Sequence, residues 1–156
     1  MKNIIRLMVP GVCIDEKIYL RYKISRFFYK KNLLSISKYI MYRTYRKYNC
    51  IISYKADIRG KLNLPHPIGI VIGEGTKIGK NVTIYQNVTL GRKNRDLAEY
   101  PSIGNNVIIY CNSVVVGKVK IGENSIIGCN SVVLKNIEPN KTAAGLIKWG
   151  IEYDKC

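Results

Sequence analysis

The chain has 156 residues, 47% of them hydrophobic and 23% charged, which is enough to bury a core in one domain with an appendage and argues against disorder. Its 26 Lys and Arg against 10 Asp and Glu give a formal charge of +16, which favours anionic partners: phosphates, acidic glycans, nucleic acid or an anionic membrane surface. Five scattered cysteines without a C-x-x-C pair, together with a single histidine, argue against a zinc site or a disulfide framework and for a reducing compartment.

The opening stretch "MKNIIRLMVPGVCIDEK" has a short apolar run, but Arg6 and Pro10 interrupt it, so it neither spans a bilayer nor predicts export. Residues 1–50 carry twelve Lys and Arg against Asp15 and Glu16, with seven tyrosines interleaved. Long unbranched residues and the apolar positions Ile24, Phe27, Phe28, Leu34, Ile40 and Met41 predict two basic helices, about Asp15 to Tyr29 and Leu34 to Tyr48. Two readings of this segment stay open. It is a cap whose Lys and Arg snorkel into water, or it contacts an anionic membrane surface through cations such as Lys23, Arg26, Lys30 and Lys31.

From Ile52 the rule changes to a repeat of six: Ile52, Ile58, Leu64, then Ile72, Ile78, Ile84, Leu90, then Ile103, Ile109, Val115, Ile121, Ile127 and Val133. Strand alternation alone does not generate a strict six with Gly or Asn at fixed offsets, whereas a coil that turns a corner every six residues does. Three such units make a triangular turn, so a parallel β-helix of about four to five coils is expected, with aliphatic side chains stacked inside.

The phase breaks twice. Eight residues separate Leu64 from Ile72, and thirteen separate Leu90 from Ile103. Surplus residues in a repeat fold leave the wall as loops, where binding and chemistry collect. The first break holds His66 in "LPHPIGIVIGEG"; the second expels "GRKNRDLAEYPS".

The segments "HPIGIVIGE", "NVTIYQNVTLG", "IGENSIIGCNSVVLKNI" and "TAAG" resemble the hexapeptide-repeat acyltransferases, within them the serine acetyltransferase-like branch that includes O-acetyltransferases of polysaccharide and O-antigen assembly. The resemblance implies a left-handed parallel β-helix over residues 51–145, after the helical segment 1–50 and before a tail at 146–156. It implies transfer of acetyl from acetyl-CoA to a hydroxyl, with no metal. An alcohol is a weak nucleophile, so a base titrating near neutral pH accelerates the step, and His66 is the one imidazole available. The group that orients His66 is a backbone carbonyl, Asp57 or Glu74, the last carried forward with His66 as a catalytic candidate.

By the same resemblance the donor lies in a groove between neighbouring prisms of a homotrimer, along Gly91, Cys111, Ser113, Cys129, Ser131, Ala144 and Gly145. Lys135 and Lys148 are candidates for its phosphates. The chain departs from the serine enzymes where they carry two aspartates, here Pro65 and Ile51, and a second histidine, here Tyr100. These departures lead to the expectation of a sugar hydroxyl as acceptor, in polysaccharide biosynthesis at the cytoplasmic face of the membrane. Serine O-acetylation and a non-catalytic scaffold are the alternatives. No zinc-finger, RNP or helix-turn-helix pattern supports nucleic acid as a partner.

Overall fold

The computed structural model describes residues 13–94 and 96–147, so Lys148 and the opening stretch through residue 12 lie outside it. Two helices come first, α1 (Ile14–Lys30) and α2 (Leu34–Tyr48), the first one residue longer at each end than the sequence suggests. Asp15 and Glu16 begin α1 and Arg46 and Lys47 end α2, each where the helix dipole favours its sign. The helices fold back on each other through two buried serines: Ser25 Oγ donates to the Ser37 carbonyl and Ser37 Oγ to the Ser25 carbonyl, both at 2.8 Å.

Helix α1 seals the end of the β-structure. Ile18 and Tyr22, one turn apart, join the core beside Cys50, Ile52 and Ala56. The Tyr22 hydroxyl donates to the Ala56 carbonyl at 2.8 Å and accepts the Ile58 N–H at 3.3 Å. One turn on, Arg26 donates to the carbonyls of Tyr54, Lys55 and Ala56 and pairs with Asp57 at 2.7 Å. Arg26 is therefore a clamp between helix and coil, which corrects its sequence-based grouping with Lys23, Lys30 and Lys31 as a cation open to a membrane. Among the described residues no helix is long and apolar enough to cross a membrane.

The remaining chain winds in coils. The first holds β1 (Ile51–Ile52), β2 (Asp57–Ile58) and a bridge at Asn63; the second β3 (Val71–Ile72), β4 (Lys77–Ile78) and β5 (Thr83–Ile84). The third holds β6 (Thr89–Gly91), β7 (Ser102–Ile103) and β8 (Ile108–Ile109); the fourth β9 (Val114–Val116), β10 (Lys120–Ile121) and β11 (Ile126–Ile127). The last holds β12 (Val132–Val133), a bridge at Ile137 and β13 (Thr142–Ala143), before β14 (Leu146–Ile147).

Every pairing is parallel and joins a strand to its equivalent in a neighbouring coil. Three walls result: wall 1 is β1-β3-β6-β9-β12-β14, wall 2 is β2-β4-β7-β10 and wall 3 is β5-β8-β11-β13. This is the parallel β-helix read from the repeat of six, and β14 carries wall 1 to Ile147, past the expected end at Gly145. The repeat positions are the core: Ile72, Ile84, Leu90, Ile109, Val115, Ile127 and Val133 are all fully buried.

The corners explain the asparagines. Every non-glycine residue with a positive φ among the described residues is an asparagine, the side chain that best tolerates this left-handed conformation. Their amides are also stacked. Along the edge between walls 2 and 3, Asn81 donates to Asn106 at 3.2 Å, Asn106 to Asn124 at 2.9 Å and Asn124 to Asn140 at 3.0 Å. Along the edge between walls 3 and 1, Asn87 donates to Asn112 at 3.0 Å and Asn112 to Asn130 at 3.1 Å.

Candidate functional site

His66 sits on the edge between walls 3 and 1, where the first coil takes two more residues than the later ones to turn. The surplus forms a tight turn in which the Ile68 N–H donates to the His66 carbonyl at 2.8 Å. Both flanks of this turn are fastened: Gly69 N–H donates to the Asn49 carbonyl at 2.8 Å, and Asn87 N–H to the Ile68 carbonyl at 2.9 Å. Gly69 has φ +68°, and a Cβ there would come within 2.1 Å of Asn87 Oδ1, so only glycine closes the turn. The imidazole is left exposed at a fixed position on a rigid edge.

An aromatic column continues from it. The Tyr85 ring lies 6.3 Å from His66 and the Tyr110 ring 5.0 Å from Tyr85, nearly parallel to it at 23°. Tyr85 and Tyr110 each follow their wall 3 strand by one residue, so they stand in register, and the same place in the next coils is taken by Gly128 and Ala144. The edge therefore changes from aromatic beside His66 to small further on. Neither tyrosine stood out in the sequence, because the phase break hides the register between His66 and Tyr85.

The small residues fit a ligand that approaches backbone. Gly145 has φ +82° and open space where a Cβ would stand, and Cys129 and Ala144 are exposed beside it, with Cys111 half-buried. Ser113 and Ser131 differ. Both are fully buried, Ser113 Oγ donating to the Gly128 carbonyl at 2.8 Å and Ser131 Oγ to the same carbonyl at 2.6 Å, while Ser131 Oγ accepts the Gly145 N–H at 3.1 Å. Their hydroxyls hold the corner in shape and do not face a groove, a correction to their expected ligand role. Lys135 is half-buried just after β12.

Glu74 and Gly91 lie on another edge, between walls 1 and 2, where the 92–101 loop also leaves the wall. Glu74 pairs with Lys55 at 2.7 Å and accepts the Tyr100 hydroxyl at 3.4 Å. The Lys55 ammonium, through that hydrogen bond above all, holds the Glu74 carboxyl below its usual range, with burial opposing. The Tyr100 ring covers the backbone of Gly73 and Gly75, where an added Cβ would stand 2.7 and 2.2 Å from ring carbons. Glu74 thus anchors the returning loop and does not reach His66 within its own chain, and Asp57 is held by Arg26, so neither carboxylate orients the imidazole here.

The model of the bacterial transferase hexapeptide (six repeats) matches residues 100–135. The match lies within the coils built on the repeat of six. Over 92 residues the chain is 45% identical to the serine acetyltransferase of Staphylococcus epidermidis (strain ATCC 12228 / FDA PCI 1200), covering 58% of itself and 43% of that protein. The figures are the same for the serine acetyltransferase of Staphylococcus aureus (strain N315). The crystal structure of serine acetyltransferase from Vibrio cholerae O1 biovar El Tor N16961 superposes with a TM-score of 0.82 at 28% identity, over 86% of this chain and 52% of that one. Serine acetyltransferase in complex with coenzyme A from Brucella abortus strain S19 superposes with a TM-score of 0.81 at 28% identity, over 86% of this chain and 54% of that one.

The chain thus spans about half the length of these relatives, and its fold is the left-handed parallel β-helix expected from the sequence. The same relatives overturn the expected sugar acceptor and its place in polysaccharide biosynthesis. They are named for serine, and the departures at Pro65 and Tyr100 do not carry the weight the sequence reading gave them.

Proposed function

We propose that the chain is an O-acetyltransferase that moves acetyl from acetyl-CoA to the hydroxyl of serine. The observation that carries this reading is the 45% identity over 92 residues to serine acetyltransferases, and an exposed His66 on an edge of the β-helix supports it. In the reaction, the His66 imidazole takes the proton of the serine hydroxyl as its oxygen attacks the thioester carbonyl. The C–S bond then breaks, and the coenzyme A thiolate leaves and is protonated. A base in hydrogen-bond reach of the hydroxyl accelerates such a step about 10²–10⁴-fold.

The donor would lie along the edge from Tyr110 to Gly145, where small residues let its pantetheine chain meet backbone amides, with Lys135 near its phosphates. Release of free thiol from acetyl-CoA that depends on added serine tests the reading. Release that does not depend on serine, or no release at all, with serine in excess and the fold intact, would defeat it; no release would leave a non-catalytic scaffold.

The Tyr85–Tyr110 column gives a sharper expectation. Tyr110 is 38% exposed and offers a flat apolar face between His66 and the small-residue stretch. Tyr110→Ala is expected to raise KM for acetyl-CoA several-fold with little change in kcat, because the lost contact is the same in ground and transition states. An unchanged KM would remove Tyr110 from the donor path.

A trimer belongs to the same proposal. Within one chain, His66 occupies the edge between walls 3 and 1, whereas Glu74, Tyr100 and the loop occupy the edge between walls 1 and 2. A neighbouring copy that presents its loop edge to the His66 edge would bring the halves together, and three copies close the ring. Light scattering is expected to give three times the chain mass of 17.8 kDa. A fully active monomer would disprove the shared site.

A further inference from the structure

The cations of the two helices separate into those the fold uses and those it does not. Arg26 is a clamp, as described. Arg21, Arg43, Arg46 and Lys47 instead line, with Tyr42, one concavity of about 510 Å³ between α1 and α2. None of the four pairs with a carboxylate among the described residues. Arg43 lies three residues from Arg46 and four from Lys47, so three like charges share a helix face, an arrangement that is unfavourable without a counter-charge. The dipole at the end of α2 accounts for Arg46 and Lys47 in its last turn. It does not account for Arg43, a turn earlier, or for Arg21 on the other helix.

Two further observations point to an anion. The Arg21 Nε is buried and donates to no group among the described residues, which leaves the guanidinium charge uncompensated at the wall of the concavity, a costly arrangement without an anion nearby. Aromatic rings also hold the cations in place: Arg21 lies over Tyr48 at 5.9 Å, Arg43 over Tyr39 at 6.0 Å, Arg46 over Tyr42 at 5.9 Å and Lys47 over Tyr48 at 5.5 Å. Arg46 also donates Nη1 to the Tyr42 hydroxyl at 3.4 Å. A guanidinium carries five N–H donors, so one held beside a ring in this way keeps others for acceptors such as phosphate oxygens.

We propose that this concavity is a binding site for a phosphate-bearing anion, separate from the His66 edge and independent of the acetyl-transfer reading. Three guanidiniums and an ammonium match a group with more than one negative charge better than a single carboxylate. The phosphate belongs either to a soluble phosphorylated compound or to a lipid headgroup. Two arms of one experiment separate these sources: calorimetric titration of the full chain with inorganic pyrophosphate at low ionic strength, and co-sedimentation with phosphatidylglycerol or phosphatidylcholine vesicles.

Wild type is expected to bind in at least one anionic arm. In that arm Arg43→Gln/Arg46→Gln, both exposed positions, is expected to bind at least tenfold more weakly, while the charge-matched Lys30→Gln/Lys31→Gln stays within twofold of wild type. Arg21→Gln serves as a second pocket variant, with circular dichroism as the check on folding. Binding of pyrophosphate alone assigns a soluble ligand, and binding of phosphatidylglycerol vesicles alone assigns a headgroup. Equal weakening by the two double variants would mean diffuse charge and no site, and failure of wild type to bind either anionic probe would likewise overturn the proposal.

Discussion

Replacing His66 by alanine is expected to lower kcat/KM for acetyl transfer from acetyl-CoA to serine by about 10²–10⁴-fold, the usual contribution of a positioned general base. The thermal midpoint should stay close to that of wild type. The side chain is exposed, and the hydrogen bond that shapes its turn is accepted by the His66 carbonyl, which alanine keeps. Affinity for acetyl-CoA should be similarly unaffected, because the small-residue stretch through Gly145 remains. Steady-state kinetics beside a thermal melt decides between the roles. A lowered midpoint with wild-type kcat would make the histidine a structural residue of the turn, and the catalytic assignment would fall.

Ile109→Ala is expected to be the opposite kind of variant, with a loss of about 2–5 kcal/mol in stability. Ile109 is fully buried in wall 3, in register with Ile84 in the coil before and Ile127 in the coil after, both also fully buried. Truncation removes transfer free energy and leaves a void, because parallel strands hydrogen-bonded on both sides cannot collapse into it. Chemical denaturation should show the midpoint fall with the slope unchanged. A cost below about 1 kcal/mol would mean that the stack relaxes, contrary to a close-packed interior.

The sequence carries the coil more openly than the site. A repeat of six identifies Ile84, Ile109 and Ile127 as one stacked column, because the side chain that faces inward is fixed by the corner and not by its neighbours. The break of phase at Leu64 likewise marks His66 as lying outside the stack. What the break conceals is the register across it. Tyr85 follows His66 by 19 residues and Tyr110 by 44, and nothing in the spelling says that three rings share one edge.

Charge is read poorly for a related reason. Arg26 looks like any lysine or arginine of a basic helix until the first coil offers it three carbonyls and Asp57. Ser113 and Ser131 mislead in the same way, since a small polar residue beside glycine suits a ligand contact and a corner tie equally well. Glu74 is legible as a neighbour of the histidine motif, but a coil carries eight residues of separation to a different edge.

The two asparagine rows have a direction, and it bears on how the protein ages. Each side-chain amide gives its hydrogen to the carbonyl oxygen of the next coil, from Asn81 towards Asn140 and from Asn87 towards Asn130. Deamidation turns a donor into an oxygen and adds a negative charge. At Asn140 or Asn130, which only accept within their rows, the exchange keeps every rung. At Asn81, Asn87 or any position between, it sets oxygen against oxygen and breaks the row at that coil. Slow chemical damage of one kind therefore has unequal consequences, mild at the last asparagine of each row and disruptive at every one before it.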